Sequence, residues 1–255
     1  LCRVCIPKLK EIIEYICFMS GNDAAFLIRS LSPAIFLHSD LLDHTILVLR
    51  KTMFHRDISI RTAALKGMLS LLICSNSHNP DEFSVCSQSA VGSRDNGRFV
   101  LDIFALLQRG CTQQASIRSL LYDGLVELCS SSPCFIAPSI ELLSVQMQRI
   151  RKDVAIRGSP FHHENCIDRD GAVIEPIGHF LKSCSSISLL AHRAGISNDL
   201  TPAMHAIARA LGGCELEDFD CGVSLPNSPF VIAMGGWIIA ACEASIDFVS
   251  LEWSF

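Results

Sequence analysis

Charged residues are scarce in this chain, 18% of 255, and neither sign dominates: 21 Lys and Arg stand against 26 Asp and Glu, a formal net charge of −5. A disordered chain combines few apolar residues with high net charge, so this composition, 49% hydrophobic, excludes one. No global basic field exists to hold nucleic acid unaided, which leaves only local patches. Aromatics are few as well, 7% with two Trp and two Tyr, too few for a base-stacking platform built on those rings. Alternation of apolar and polar residues over a strand length is nearly absent, which argues against a β-fold. The longest apolar run, residues 230–242 (FVIAMGGWIIAAC), has thirteen residues. A membrane span takes about 18–20, so the run reads as a buried helix. No signal peptide or transit pattern is visible, and no P-loop, G-x-S-x-G or H-E-x-x-H occurs.

Cysteine is present but is not a scaffold: 13 residues, below the roughly 8–10% of disulfide-built domains. The number is odd, the spacing irregular, and the only C-x-x-C is Cys2–Cys5. Cys17, Cys74, Cys111, Cys129, Cys184 and Cys242 sit among Leu, Ile and Ala, where free Cys acts as a small hydrophobe. That usage fits a reducing intracellular compartment. A start at Leu1 rather than Met, and apolar ends without caps, read as an internal piece of something longer.

Helical spacing of apolar residues fills most of the chain. It predicts helices over 11–19, 24–37, 41–54, 60–73, 99–107, 117–129, 136–150, 174–190, 200–211 and 229–249, with Ser32-Pro33 marking a bend or boundary. Three polar stretches interrupt them, 75–97, 157–173 and 212–228, the last holding the acidic run 215–220. Residues 46–72 also align without a gap on 103–129, at an offset of 57 with seven identities: Ile46/Ile103, Leu49/Leu106, Ser59/Ser116, Ile60/Ile117, Arg61/Arg118, Gly67/Gly124 and Leu71/Leu128. Each copy reads as a helix, a polar turn, a Ser cap and a second helix carrying an Arg two residues later. The Gly, which costs about 1 kcal/mol relative to Ala in a helix, is explained by close approach of a neighbouring helix. Asp57-Ile58-Ser59-Ile60-Arg61 resembles the turn of a HEAT repeat, with Arg61 pairing Asp57. The expected fold is therefore all-α, a HEAT/armadillo-like α-solenoid of stacked antiparallel helix pairs that bury their faces on one another.

Residues that carry chemistry are few. Asp168-Arg169-Asp170-Gly171 lacks the full spacing of a calcium loop. His162-His163-Glu164-Asn165-Cys166 has no second ligand pair nearby for zinc, and nothing orders Cys166 and a histidine as nucleophile and base. Two basic clusters stand out: Arg50, Lys51, His55, Arg56, Arg61 and Lys66, and then Arg149, Arg151, Lys152 and Arg157. Phosphate contact is one reading of them, and complementing helix C-termini is the other. Arg149, Arg151 and Lys152 are the DNA-contact candidates. Ser87-Gln88 and Thr112-Gln113 match the S/T-Q preference of DNA-damage kinases. Ser87 is the phosphorylation candidate, because the repeat places Thr112 in a packed turn.

Several segments, in one order, resemble the Fanconi anaemia group I family: 46–54 (ILVLRKTMF), 61–67 (RTAALKG), 86–89 (CSQS), 113–124 (QQASIRSLLYDG), Asn165-Cys166-Ile167, Glu175-Pro176-Ile177 and 215–219 (ELEDF). The resemblance implies a non-enzymatic nuclear scaffold of interstrand crosslink repair, with no catalytic, metal or cofactor residues and no membrane contact. Its implied partners are the paralogous group D Fanconi protein, DNA, the Fanconi E3 ubiquitin ligase complex and ubiquitin. It implies the end of a preceding helical domain over 1–38, a second-solenoid-like stretch over 39–190 and the start of a following helical domain over 191–255. The family's ubiquitin acceptor lysine lies shortly before the counterpart of Glu175-Pro176, but the window from Arg169 to Ile174 holds no Lys. The nearest are Lys152 and Lys182. The S/T-Q sites that follow the acidic motif in the family are also missing here. The competing readings are a HEAT-type adaptor in another intracellular assembly and a thiol enzyme using Cys166 with His162 or His163.

Overall fold

The computed structural model describes residues 5–78, 93–152, 159–168, 170–215, 218 and 229–252. Among the described residues ten α-helices follow in order: α1 (Cys5–Glu14), α2 (Gly21–Leu37), α3 (Ser39–Met53), α4 (Ile58–His78), α5 (Ser93–Gly110), α6 (Ala115–Ser131), α7 (Ile136–Ile150), α8 (Ile177–Arg193), α9 (Leu200–Leu211) and α10 (Pro229–Glu252). Among the described residues β-pairing is limited to two isolated bridges, Arg151 to Phe161 and Ile167 to Val173. The fold is all-α, of the α-solenoid class.

The repeat is visible in the helix ends. α3 ends at Met53 and α5 at Gly110; α4 begins at Ile58 and α6 at Ala115. Both pairs differ by the same 57 residues as the sequence alignment. The capping differs from expectation. Ser59 and Ser116 are the second residues of their helices, and the cap of α4 is Asp57, whose Oδ1 accepts from the Ser59 amide at 2.8 Å and its hydroxyl at 2.9 Å. These two bonds hold the Asp57 carboxyl below its usual range. Gln114, the equivalent residue, makes no side-chain cap bond. Gly67 behaves as its spacing suggests: a Cβ there would lie 2.7 Å from Leu49 Cδ2 on α3.

No helix boundary falls at Ser32-Pro33, because α2 runs through Pro33. The missing proline N–H would have bonded the Arg29 carbonyl. The Ser32 hydroxyl takes that acceptor instead, at 2.9 Å.

The contacts divide the chain into two compact units, Leu1–Gln113 and Gln114–Phe255. In the first, α4 packs against α2 and α3 and buries Ala63, Ala64, Leu65, Met68, Leu71 and Leu72. In the second, α8 is central and packs against α6, α7, α9 and α10. It buries Ile177, Phe180, Leu181, Cys184 and Ile187.

The thirteen-residue run does not bound its helix. α10 continues through Glu243 and Asp247, single acids that interrupt the run and not the helix. Among the described residues Ile58–Asn76 and Val231–Ser250 are long and apolar enough to cross a membrane by composition, with 56% and 39% of each buried in the protein. Met234, Trp237, Ala241 and Phe248 of α10 are core residues, while Ile232, Ile239 and Ile246 are exposed.

Candidate functional site

The second basic cluster and the segment around Asn165-Cys166-Ile167 and Glu175-Pro176 come together after α7. The Arg149 carbonyl, near the end of that helix, accepts from the Asn165 side-chain amide at 2.9 Å. The Lys152 amide donates to the Pro160 carbonyl at 2.8 Å, and the His162 amide to the Ile150 carbonyl at 2.9 Å. A second turn follows. The Asp168 amide donates to the Ala172 carbonyl at 2.8 Å, the Ile174 amide to Cys166 at 2.8 Å, and Gly171 takes φ +80° at the tip. Phe161, Cys166 and Ile167 point inward and are buried, whereas Asp168, Asp170, Ala172 and Val173 are exposed.

The anchor of this segment is Glu175, whose side chain is fully buried. Its carboxylate accepts from Arg118 Nη1 at 2.8 Å, from the Tyr122 hydroxyl at 2.7 Å and from the Gln146 side-chain amide. Arg149 Nη2 lies 3.6 Å away. The Glu175 backbone is also held: its carbonyl accepts from the Trp237 indole at 2.9 Å and its amide donates to Cys166 at 3.0 Å. Burial pushes the Glu175 carboxyl up, against the pull of Tyr122, Arg118 and Gln146. Trp237 stacks edge-on against Phe161 at 5.0 Å, and Tyr122 against Phe180 at 5.2 Å.

This geometry separates the three DNA-contact candidates. Arg149 is spent partly on Glu175, Arg151 is half-buried, and Lys152 is exposed. The first basic cluster separates as well. Arg50, Lys51, His55 and Arg56 are exposed, but Arg61 is buried and donates to Gln113 Oε1 at 2.8 Å rather than pairing across its own turn with Asp57. Lys66 Nζ donates to Asn22 Oδ1 at 2.7 Å. Ser87, Arg157 and Arg169 lie outside the described residues. Thr112 is exposed, contrary to the packed turn expected for it, and its hydroxyl donates to the Arg109 carbonyl at 2.9 Å. Lys152 and Lys182 are both exposed.

Thiol catalysis finds no support here. Cys166 is fully buried, and burial first and the Glu175 charge second push its thiol up, which suppresses the nucleophilic thiolate. His162 faces Glu164 at 3.6 Å. Among the described residues no group of three His, Cys, Asp or Glu converges to hold a metal. The sequence singled out Glu175 and Tyr122 only as parts of resembling motifs, and it did not single out Gln146 or Trp237. An isolated acid in Val-Ile-Glu-Pro-Ile was the available signal, since a carboxylate flanked so closely by apolar residues needs buried donors.

Two family models match the chain in order, FANCI solenoid 2 over residues 2–69 and FANCI helical domain 2 over residues 73–229. Among curated proteins the chain is similar to the Fanconi anemia group I protein of Gallus gallus, 23% identical over 283 aligned positions that cover 94% of this chain and 21% of the relative. It is also similar to the Fanconi anemia group I protein homolog of Mus musculus, 25% identical over 280 positions that cover 97% and 21%. The chain thus spans about a fifth of the length of these relatives.

Proposed function

The chain belongs to the FANCI family, whose helical domain 2 model matches most of it, and from that premise we propose that it is part of a non-enzymatic scaffold of Fanconi anaemia interstrand crosslink repair. The scaffold acts in the nucleus and pairs with the paralogous group D Fanconi protein on DNA. The observation that carries this reading is the ordered match to solenoid 2 and then helical domain 2, with curated group I relatives aligned over 94% and 97% of the chain. Two further observations support it. The family is one of helical solenoids rather than of enzymes, and the one cysteine-histidine arrangement in the sequence holds its thiol buried. On this reading α4 and α10 are packing helices rather than membrane spans.

Regulation by monoubiquitination and phosphorylation is part of the proposal, with changed positions. The turn that exposes Asp168, Asp170, Ala172 and Val173 carries no lysine in its sequence, so the Fanconi E3 ligase complex would use another acceptor, and Lys152 and Lys182 are the nearest. Ser87 remains the phosphorylation candidate. Arg151 and Lys152 are the proposed phosphate contacts, with Arg149 contributing its charge from beside Glu175.

The test is co-purification. A full-length protein carrying this region should recover the group D protein from crosslinker-treated nuclei, and deleting residues 41–190 should abolish the recovery. Undiminished recovery after the deletion would refute pairing through this region. Recovery of a different assembly, with no Fanconi component, would favour the adaptor reading.

A further inference from the structure

Glu175 is more deeply engaged than a structural carboxylate needs to be. Three side chains from two helices bond its oxygens: Arg118 and Tyr122 on α6 and Gln146 on α7. A fourth, Trp237 on α10, bonds its carbonyl. Its amide closes the turn onto Cys166, and the Ile177 amide that opens α8 bonds its carbonyl at 2.9 Å. One residue therefore joins four helices to the segment before α8, whose described residues are 159–168 and 170–176.

The same arrangement is built once in each unit. Arg61 and Arg118 are equivalent in the repeat, each the fourth residue of its helix. Both are buried, each donates one Nη1 bond of 2.8 Å, and neither Nε has a hydrogen-bond partner among the described residues. The acceptors, Gln113 and Glu175, each stand two residues before a helix start, Ala115 and Ile177. In the first unit the acceptor is a neutral amide, whose own N–H₂ reaches back to the Met53 carbonyl at 3.3 Å. In the second it is a carboxylate. An ionised partner makes a bond roughly twice as strong as a neutral one, so the buried Arg118 is held harder than Arg61.

We propose that Glu175 is a latch, and that the 159–176 segment and the part of α10 around Trp237 are released together as one cooperative opening when any of its bonds is lost. Local openings follow contiguous cooperative units, and buried polar networks act as units rather than as sums of pairs. Phe161 strengthens the coupling, because it belongs to the segment and its ring packs on Trp237.

Native-state hydrogen exchange on the full chain tests the latch with two mild variants. Tyr122→Phe removes one donor from the carboxylate without touching α10. Trp237→Phe removes the indole N–H and keeps a ring against Phe161. Each is expected to raise exchange about tenfold, the scale of one lost hydrogen bond, at the Asp168, Ile174 and Glu175 amides and at the α10 amides beside residue 237 alike. The amides of α2 and α3 should stay as protected as before. If Tyr122→Phe loosens only α6, or if Trp237→Phe leaves the Asp168 and Ile174 amides unchanged, there is no latch. Glu175→Gln should raise exchange in the same set by a larger factor. A variant too unstable to measure leaves the decision to the other two.

Discussion

At the scale of single residues the buried carboxylate dominates. Three donors bond the Glu175 oxygens, and a glutamine there would turn its own N–H₂ toward donors and leave the buried Arg118 without a countercharge. Breaking a buried pair by removing one partner costs about 3–5 kcal/mol, so Glu175→Gln is expected to lower stability by that amount in urea unfolding followed by tryptophan fluorescence. A loss below about 1 kcal/mol would mean that the network does not anchor the segment. The cysteines give a second residue-scale expectation. Cys5 is exposed and Cys166 fully buried with a raised thiol, so a thiol reagent should label Cys5 at once and Cys166 only on opening. A burst at Cys166 would revive the thiol-enzyme reading. Asp57 supplies a pH dependence. Its folded carboxyl is held below the usual aspartate range by the two bonds from Ser59, so its cap is fully present above the unfolded value and is lost as pH falls through the lower folded one. NMR titration of the Ser59 amide should show that midpoint, and Asp57→Asn should remove it.

At the scale of elements, much of the structure was legible in the sequence. The repeat located the turns between α3 and α4 and between α5 and α6, because apolar spacing and a fixed offset are both properties of the chain itself. Gly67 was legible for the same reason, since a glycine inside a strong helix pattern needs a neighbour at close range. Adding a Cβ there meets Leu49 at 2.7 Å, so Gly67→Ala should destabilise the first unit by about 1–3 kcal/mol of overpacking, offset by about 1 kcal/mol of helix propensity. Combining it with Leu49→Ala should relieve that clash, so the two changes will not add. Calorimetry on the four proteins of the cycle measures this, and strict additivity would place Gly67 elsewhere in the packing. What was not legible follows from distance. Arg61 looked like a partner for Asp57, four residues away, yet its acceptor Gln113 lies 52 residues on. Glu175 draws Arg118 from 57 and the Trp237 indole from 62 residues away. Such pairings depend on which helices pack together, which periodicity does not encode. The continuity of α2 through Pro33 was missed for a local reason, the Ser32 hydroxyl on the Arg29 carbonyl.

At the scale of the whole molecule, a net charge of −5 spread over two all-α units fits a scaffold that holds partners rather than a grip on nucleic acid by itself. On the proposed function, DNA contact would rest on local cations: replacing Arg151 and Lys152 with Glu should weaken DNA binding and flatten its salt dependence by about two charges' worth, while Arg149→Glu should act mainly on stability through Glu175. The proposed function has the group D protein held through this part of a Fanconi group I scaffold. Mass photometry of the purified full-length protein with the group D protein on duplex DNA tests it most directly. The account predicts a one-to-one complex that disappears when residues 41–190 are deleted; a complex of unchanged abundance after that deletion, or none with the intact protein, would contradict it.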